Sequence, residues 1–229
     1  TAMLCIYGLE IGTIGNNIED ILESSPAFSE AFASLSANLL DSYFASILTV
    51  IALLGAGFTI SAVLRPAAEE NRDRVAMLLA EPLGRVRWAV GHVLIAWIAS
   101  ALMIAAAGLA IGIGLGVVSG DFSQAPALFA SGFVRAPAMW LTGSLAVLLF
   151  GISSRLTPIA WGVLAIFVLI WTLASFGNLP DWVVDLSPFS HIPAAPAVYA
   201  SPEPLAVMTG LAVLLTAAGL FLWRRRDLA

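Results

Sequence analysis

Residues 42–64 read SYFASILTVIALLGAGFTISAVL. The run carries no charge and is as long as the roughly 19-residue stretch that crosses a ~30 Å hydrocarbon core. Similar runs recur at about 88–118, 136–153, 159–176 and 205–223. The whole chain has 229 residues, is 60% hydrophobic and only 11% charged, and has a mean hydropathy of +0.95. A soluble domain is about 45–50% apolar and about 25% charged, so this chain has too little polar surface to cover a water-soluble globule. The expected fold class is all-α: a polytopic membrane protein, a bundle of six transmembrane helices. The opening TAMLCIYGLEIGTIG is read as the first of these, a partial span over about 1–16 whose start lies upstream. It has neither the basic region nor the small-residue site of a signal peptide. One transmembrane domain, 1–229, is expected.

Outward from these runs lie the polar connectors. Residues 17–40 are acidic and amphipathic, with Ile18, Ile21 and Leu22 on one helical face and Phe28, Ala31, Phe32 and Leu35 on another. The span 88–118 would reach ~46 Å as a helix, so it must tilt, bend or protrude. Gly108, Gly112 and Gly116 fall four apart on one face of it. That is the small-residue pattern for close helix approach, or simply the frequency of glycine in membrane helices. The segment 177–204 is rich in proline and too broken to span.

Arginine sets the orientation, because there is no lysine. If the connector after residue 64 is cytoplasmic, Arg65, Arg72, Arg74, Arg85, Arg87, Arg155, Arg224, Arg225 and Arg226 all face the cytoplasm, and Arg135 alone falls in an outer loop. Both ends of the six-span unit are then cytoplasmic.

That connector, RPAAEENRDRVAMLLAEPLGRVRW (65–88), holds nine charges in 24 residues. Pro66 suits the first turn of a helix, with Glu69 and Glu70 near its positive end. Glu69 can pair with Arg72 at i+3 and Glu70 with Arg74 at i+4. Val75, Leu78 and Leu79 form an apolar stripe, and Pro82 and Gly84 end the helix. A solvated loop obeying the positive-inside rule would explain the arginines. It would not explain the acids, their ordered pairing or the stripe, which fit a docking helix over 66–81.

The chain resembles the permease subunit of type 2 ATP-binding-cassette exporters, in the polyketide-antibiotic exporter branch. EENRDRVAMLLAEPLGRVRWAVGH (69–92), LPDWVVDLSPFSHIPAAP (179–196) and the terminal RRRDL (224–228) carry the resemblance. It departs from many relatives at Asn71, where they have glycine before the second arginine. Such permeases are built from two similar six-span halves, and this chain is similar to the second. The resemblance implies a bacterial cytoplasmic membrane, cytoplasmic ATP-binding-cassette ATPase subunits as partners, a second six-span half on the same or another chain, surrounding lipid, and a lipophilic substrate such as an antibiotic, drug or lipid. It implies a coupling contact through Glu69, Glu70, Arg72, Arg74, Leu78, Leu79, Glu81 and Arg85. It also implies that 177–204 forms short outer or re-entrant helices closing the exit, with Ser187, Pro188, Phe189, His191 and Pro193 as an outer gate.

Chemistry by the chain itself is not expected. A P-loop needs its lysine on the phosphates, and the chain has none. ATP and Mg would belong to the partner subunit, with no cofactor on this chain. The single Cys5 excludes a cysteine-built metal site, and no metal or nucleic acid is expected. Two other classes share this topology. One is a proton-coupled secondary transporter using Glu10 and His92, although His92 also fits a hydrogen-bonded packing role. The other is a non-transporting scaffold or immunity protein.

Overall fold

The computed structural model describes residues 26–65, 85–177, 179–192 and 202–225. The partial span at 1–16, the acidic segment before residue 26 and the docking helix 66–81 lie outside the described residues. All regular structure among the described residues is helical. It comprises α1 (Pro26–Val63), α2 (Arg85–Ser119), α3 (Ala125–Phe133), α4 (Ala136–Ile152), a 3-10 turn (Ser154–Leu156), α5 (Thr157–Ser175), α6 (Asp181–Val184) and α7 (Pro202–Arg225). Five stretches are long and apolar enough to cross a membrane: Ser42–Val63, Arg87–Val117, Ala125–Ile152, Ser154–Ser175 and Pro202–Arg225. The chain is thus an all-α, multi-pass membrane protein.

Two compact units divide the chain, Thr1–Tyr43 and Phe44–Ala229. Of the first, residues 26–43 are described, all within α1.

Proline starts several helices of the second unit. Pro126, Pro137 and Pro158 occupy the first turns of α3, α4 and α5, where a missing N–H leaves no bond unmade. Between α2 and α3 the chain reverses at Gly120, whose φ of 75° favours glycine. Asp121 closes that turn, its Oδ1 accepting from Ser123 N at 2.9 Å and its Oδ2 from Ser123 Oγ at 2.7 Å. These bonds hold the Asp121 carboxyl below the usual carboxylate range.

The sequence reading starts a span at about 136. The structure instead has α3 doubling back along α2 and passing into α4 after the two residues Val134 and Arg135. Close contact makes this possible. A side chain at Gly108 would overlap the Leu128 backbone, one at Gly112 the Ala125 Cα, and one at Gly132 the Ile104 carbonyl. The glycine stripe on α2 is therefore the surface on which α3 lies, with Gly116 against the Phe122 ring.

The helix α4 is the centre of the bundle. It meets α7 where Gly151 lies on the Gly219 backbone, and α1 where Gly143 lies on Thr59. It meets α2 through Trp140, whose Nε1 donates to the Trp97 carbonyl at 3.0 Å and whose ring stacks on Trp97 at 5.3 Å. At one end of the bundle Phe150 packs on Trp223 at 5.7 Å, near Arg224 and Arg225. The turn after α2 and the segment between α5 and α7 lie at the opposite end.

Candidate functional site

Between α5 and α7, residues 179–192 fold into a tight, self-bonded turn. Gly177 leaves α5 at φ 70°, and Pro180 is extended before the single turn of α6. Ser187 N then bonds the Val184 carbonyl at 3.0 Å. Ser190 donates to the Ser187 carbonyl through N at 3.2 Å and Oγ at 2.6 Å, and His191 Nδ1 lies 3.1 Å from the same oxygen. Ser187 Oγ accepts from Phe189 N at 3.3 Å. Curled this way, the turn drives Ser187, Pro188 and Phe189 inward and leaves Ser190 and His191 exposed. Phe189 is only 4% exposed, and its ring meets Phe167 of α5 edge-on at 6.3 Å. Pro193 lies outside the described residues.

This inserted turn separates two cavities of about 330 Å³ each. One lies between α4, α5 and α7, walled by Leu141, Leu145, Phe167, Val207 and Leu211 and topped by Asp185, Pro188 and His191. The other lies between α1 and α5, with Thr49, Trp171, Ser187 and Phe189 in its wall. Their polar groups are few. Thr142 in the first donates its hydroxyl proton to the Ala138 carbonyl at 2.8 Å, and Thr49 in the second donates to the Ala45 carbonyl at 2.8 Å. Apolar walls with a small number of placed polar groups are the usual make-up of a small-molecule site.

The residues expected to couple to a partner are out of view, with one exception. Arg85 is the first residue of α2. Glu69, Glu70, Arg72, Arg74, Leu78, Leu79 and Glu81 lie outside the described residues. Glu10 does too. His92 sits one turn into α2 beyond Trp88, its Nδ1 3.1 Å from the Trp88 carbonyl and its ring 4.6 Å from the indole. It holds a packing position.

Sequence reading missed Arg135. By arginine counting it belongs in an outer loop, yet it is 1% exposed. It occupies the break between α3 and α4. Its Nη1 donates to Ser131 O and, at 2.9 Å, to Ser131 Oγ. Its Nη2 donates to the Ala45 carbonyl of α1 at 3.0 Å, and its Nε has no partner among the described residues. One side chain thus ties three helices at the point where the α3–α4 passage bends. Ser131 four residues before Arg135, inside an apolar stretch, is the signal that could have revealed it.

Comparison with known proteins agrees with this architecture. The family model for the C-terminal domain of the multidrug efflux system permease Rv1217c matches residues 1–224. The multidrug efflux system permease protein Rv1217c of Mycobacterium tuberculosis (strain ATCC 25618 / H37Rv) is 32% identical over 99% of this chain. The chain spans 42% of that protein's length. With a match across nearly all of its residues, this chain belongs to the family defined by the C-terminal domain of the multidrug efflux system permease Rv1217c.

Proposed function

We propose that this chain is the C-terminal membrane half of an exporter permease. It moves lipophilic compounds out of a bacterial cell, driven by ATP hydrolysis on a separate subunit. The observation that carries the reading is the apolar cavity between α4, α5 and α7, roofed by the 185–191 turn at the end of the bundle opposite Arg224 and Arg225. Membership of an efflux-permease family supports it. Orientation follows from the arginines. Among the described residues Arg65, Arg87, Arg155, Arg224 and Arg225 stand at one end, which the positive-inside rule assigns to the cytoplasm. The cavity then opens toward the outside, and Ser187, Pro188, Phe189 and His191 act as its gate, with Pro193 following. The connector 66–81 is the contact for the ATPase, through Glu69, Glu70, Arg72, Arg74, Glu81 and Arg85, with Leu78 and Leu79 seating it on the bundle. Charged pairs of this kind set register and rate of association more than bulk affinity.

Proton coupling fits less well. Relays of that kind use buried acids or histidines. The fully buried ionisable side chain among the described residues is Arg135, and a guanidinium is a poor proton carrier.

The test uses the full-length permease with its ATP-binding subunit in proteoliposomes. Glu69→Arg/Glu70→Arg should lower ATP-driven transport at least tenfold while leaving the permease folded. Failure of any ATPase to associate, or full transport by the double variant, would overturn the reading.

A further inference from the structure

We infer that the cavity between α4, α5 and α7 selects lipophilic compounds that carry a hydrogen-bond-donating cation, such as a protonated amine. This rests on the reading of that cavity as a substrate site and names the substrate's polar end.

The lining has three side chains with oxygen or nitrogen, Thr142, Asp185 and His191; the rest is leucine, phenylalanine, valine, methionine and proline. Thr142 gives its proton to the Ala138 carbonyl at 2.8 Å, which leaves oxygen lone pairs toward the cavity. His191 Nδ1 lies 3.1 Å from the Ser187 carbonyl and 3.2 Å from Ser190 Oγ; the carbonyl can only accept, so the tautomer that bonds it carries the hydrogen on Nδ1. In the neutral ring Nε2 is then an acceptor. Asp185 is exposed, and no hydrogen bond or ion pair reaches its carboxylate among the described residues. Pro188 and Pro204 have no N–H at all. Among the lining residues Asp185 is the one acid, and none is arginine or lysine.

The surroundings have the same sign. Asp181 and Glu203 flank the roof, at the starts of α6 and α7. The nearest arginine in sequence, Arg135, directs Nη1 and Nη2 to Ser131 and Ala45. A carboxylate or phosphate on a ligand would be repelled by Asp185 and would find no arginine or lysine in the lining. An ammonium would meet a carboxylate at the rim of a low-dielectric wall, where a charge-assisted bond is strong.

Two probes with one naphthyloxy body separate the possibilities: propranolol, a secondary amine, and 1-naphthoxyacetate, a carboxylate. Binding is measured by fluorescence on the full-length permease in nanodiscs, corrected for empty nanodiscs. Propranolol should bind at least tenfold more tightly than the carboxylate. Asp185→Asn should erase most of that preference, and Asp185→Glu should keep it. Leu211→Trp, which fills the cavity, should weaken both probes. Equal binding of the two probes, or an unchanged preference in Asp185→Asn, would overturn the inference while Leu211→Trp still upheld the cavity. Unchanged binding in Leu211→Trp would overturn both. Thermal unfolding of each variant confirms that it is folded.

Discussion

The helices α4 and α5 follow one another in sequence and are equally free of charge, yet they live in opposite environments. Eleven residues of the 17 in α4 are buried, against three of the 19 in α5. What distinguishes them is size. The buried positions of α4 include Ala136, Ala138, Gly143, Ser144, Ala146 and Gly151. The open face of α5 carries Ile159, Trp161, Ile166, Leu169 and Leu173. In lipid, large apolar side chains gain little by turning inward, because acyl chains receive them equally well. Small residues gain much, because they let backbones approach until dispersion contacts accumulate. Hydropathy thus says that a helix crosses; side-chain size says where it stands in the bundle.

The largest effect should come from enlarging a small residue at the centre. Gly151→Leu drives a side chain into the Gly219 carbonyl, and Gly219→Leu does the same to the Val147 backbone. Each should cost about 3 kcal/mol, seen as loss of monodisperse folded protein in detergent or a sharply lowered Tm. Gly162→Leu on α5 is the counterpart, since a side chain there meets nothing within 4 Å. It should leave Tm unchanged. Equal damage at both positions would break the comparison and show that α5 is covered in the working assembly.

Next in size is Arg135→Met. It keeps the length of the side chain but removes the donors to Ser131 and Ala45. Losing these charge-assisted bonds should cost about 2 kcal/mol, read as a lower Tm of the purified permease. An unchanged Tm would mean that the helix break holds without the arginine.

The smallest effect is expected on the open face of α5. Ile166 and Leu169 are 54% and 58% exposed, and alanine at either should change stability by less than about 0.5 kcal/mol. A larger loss in the complete permease than in this half alone would sharpen the comparison, identifying that face as the surface that meets the other half.

The candidate site was legible unevenly. The prolines and serines of LSPFSHIP mark a turn, and the structure shows why: Ser187 bonds forward through both its carbonyl and its hydroxyl. That the same turn inserts between α4, α5 and α7 on one side and α1 on the other could not be read from it. A turn's own bonds are local, but the cavities beside it depend on helices far away in the chain. Arg135 marks the reverse case. Arginine counting treats each basic residue as a solvated charge, and this one is held by carbonyls of helices the counting does not see.

What the sequence determined by itself was the solvent and the period. Long uncharged runs demand lipid, lipid demands that every backbone polar group find a partner, and an uninterrupted apolar run of about 20 residues meets that demand as a helix. The four-residue spacing of Gly108, Gly112 and Gly116 likewise allowed a close contact without requiring one. The tertiary structure alone decided the partners: that α3 lies on that glycine stripe, that Gly151 meets Gly219, that Arg135 is buried, and that Thr142, Asp185 and His191 line one cavity. The reason is that hydropathy and spacing act along the chain and over short range. Which small surface meets which depends on shapes brought together from distant segments.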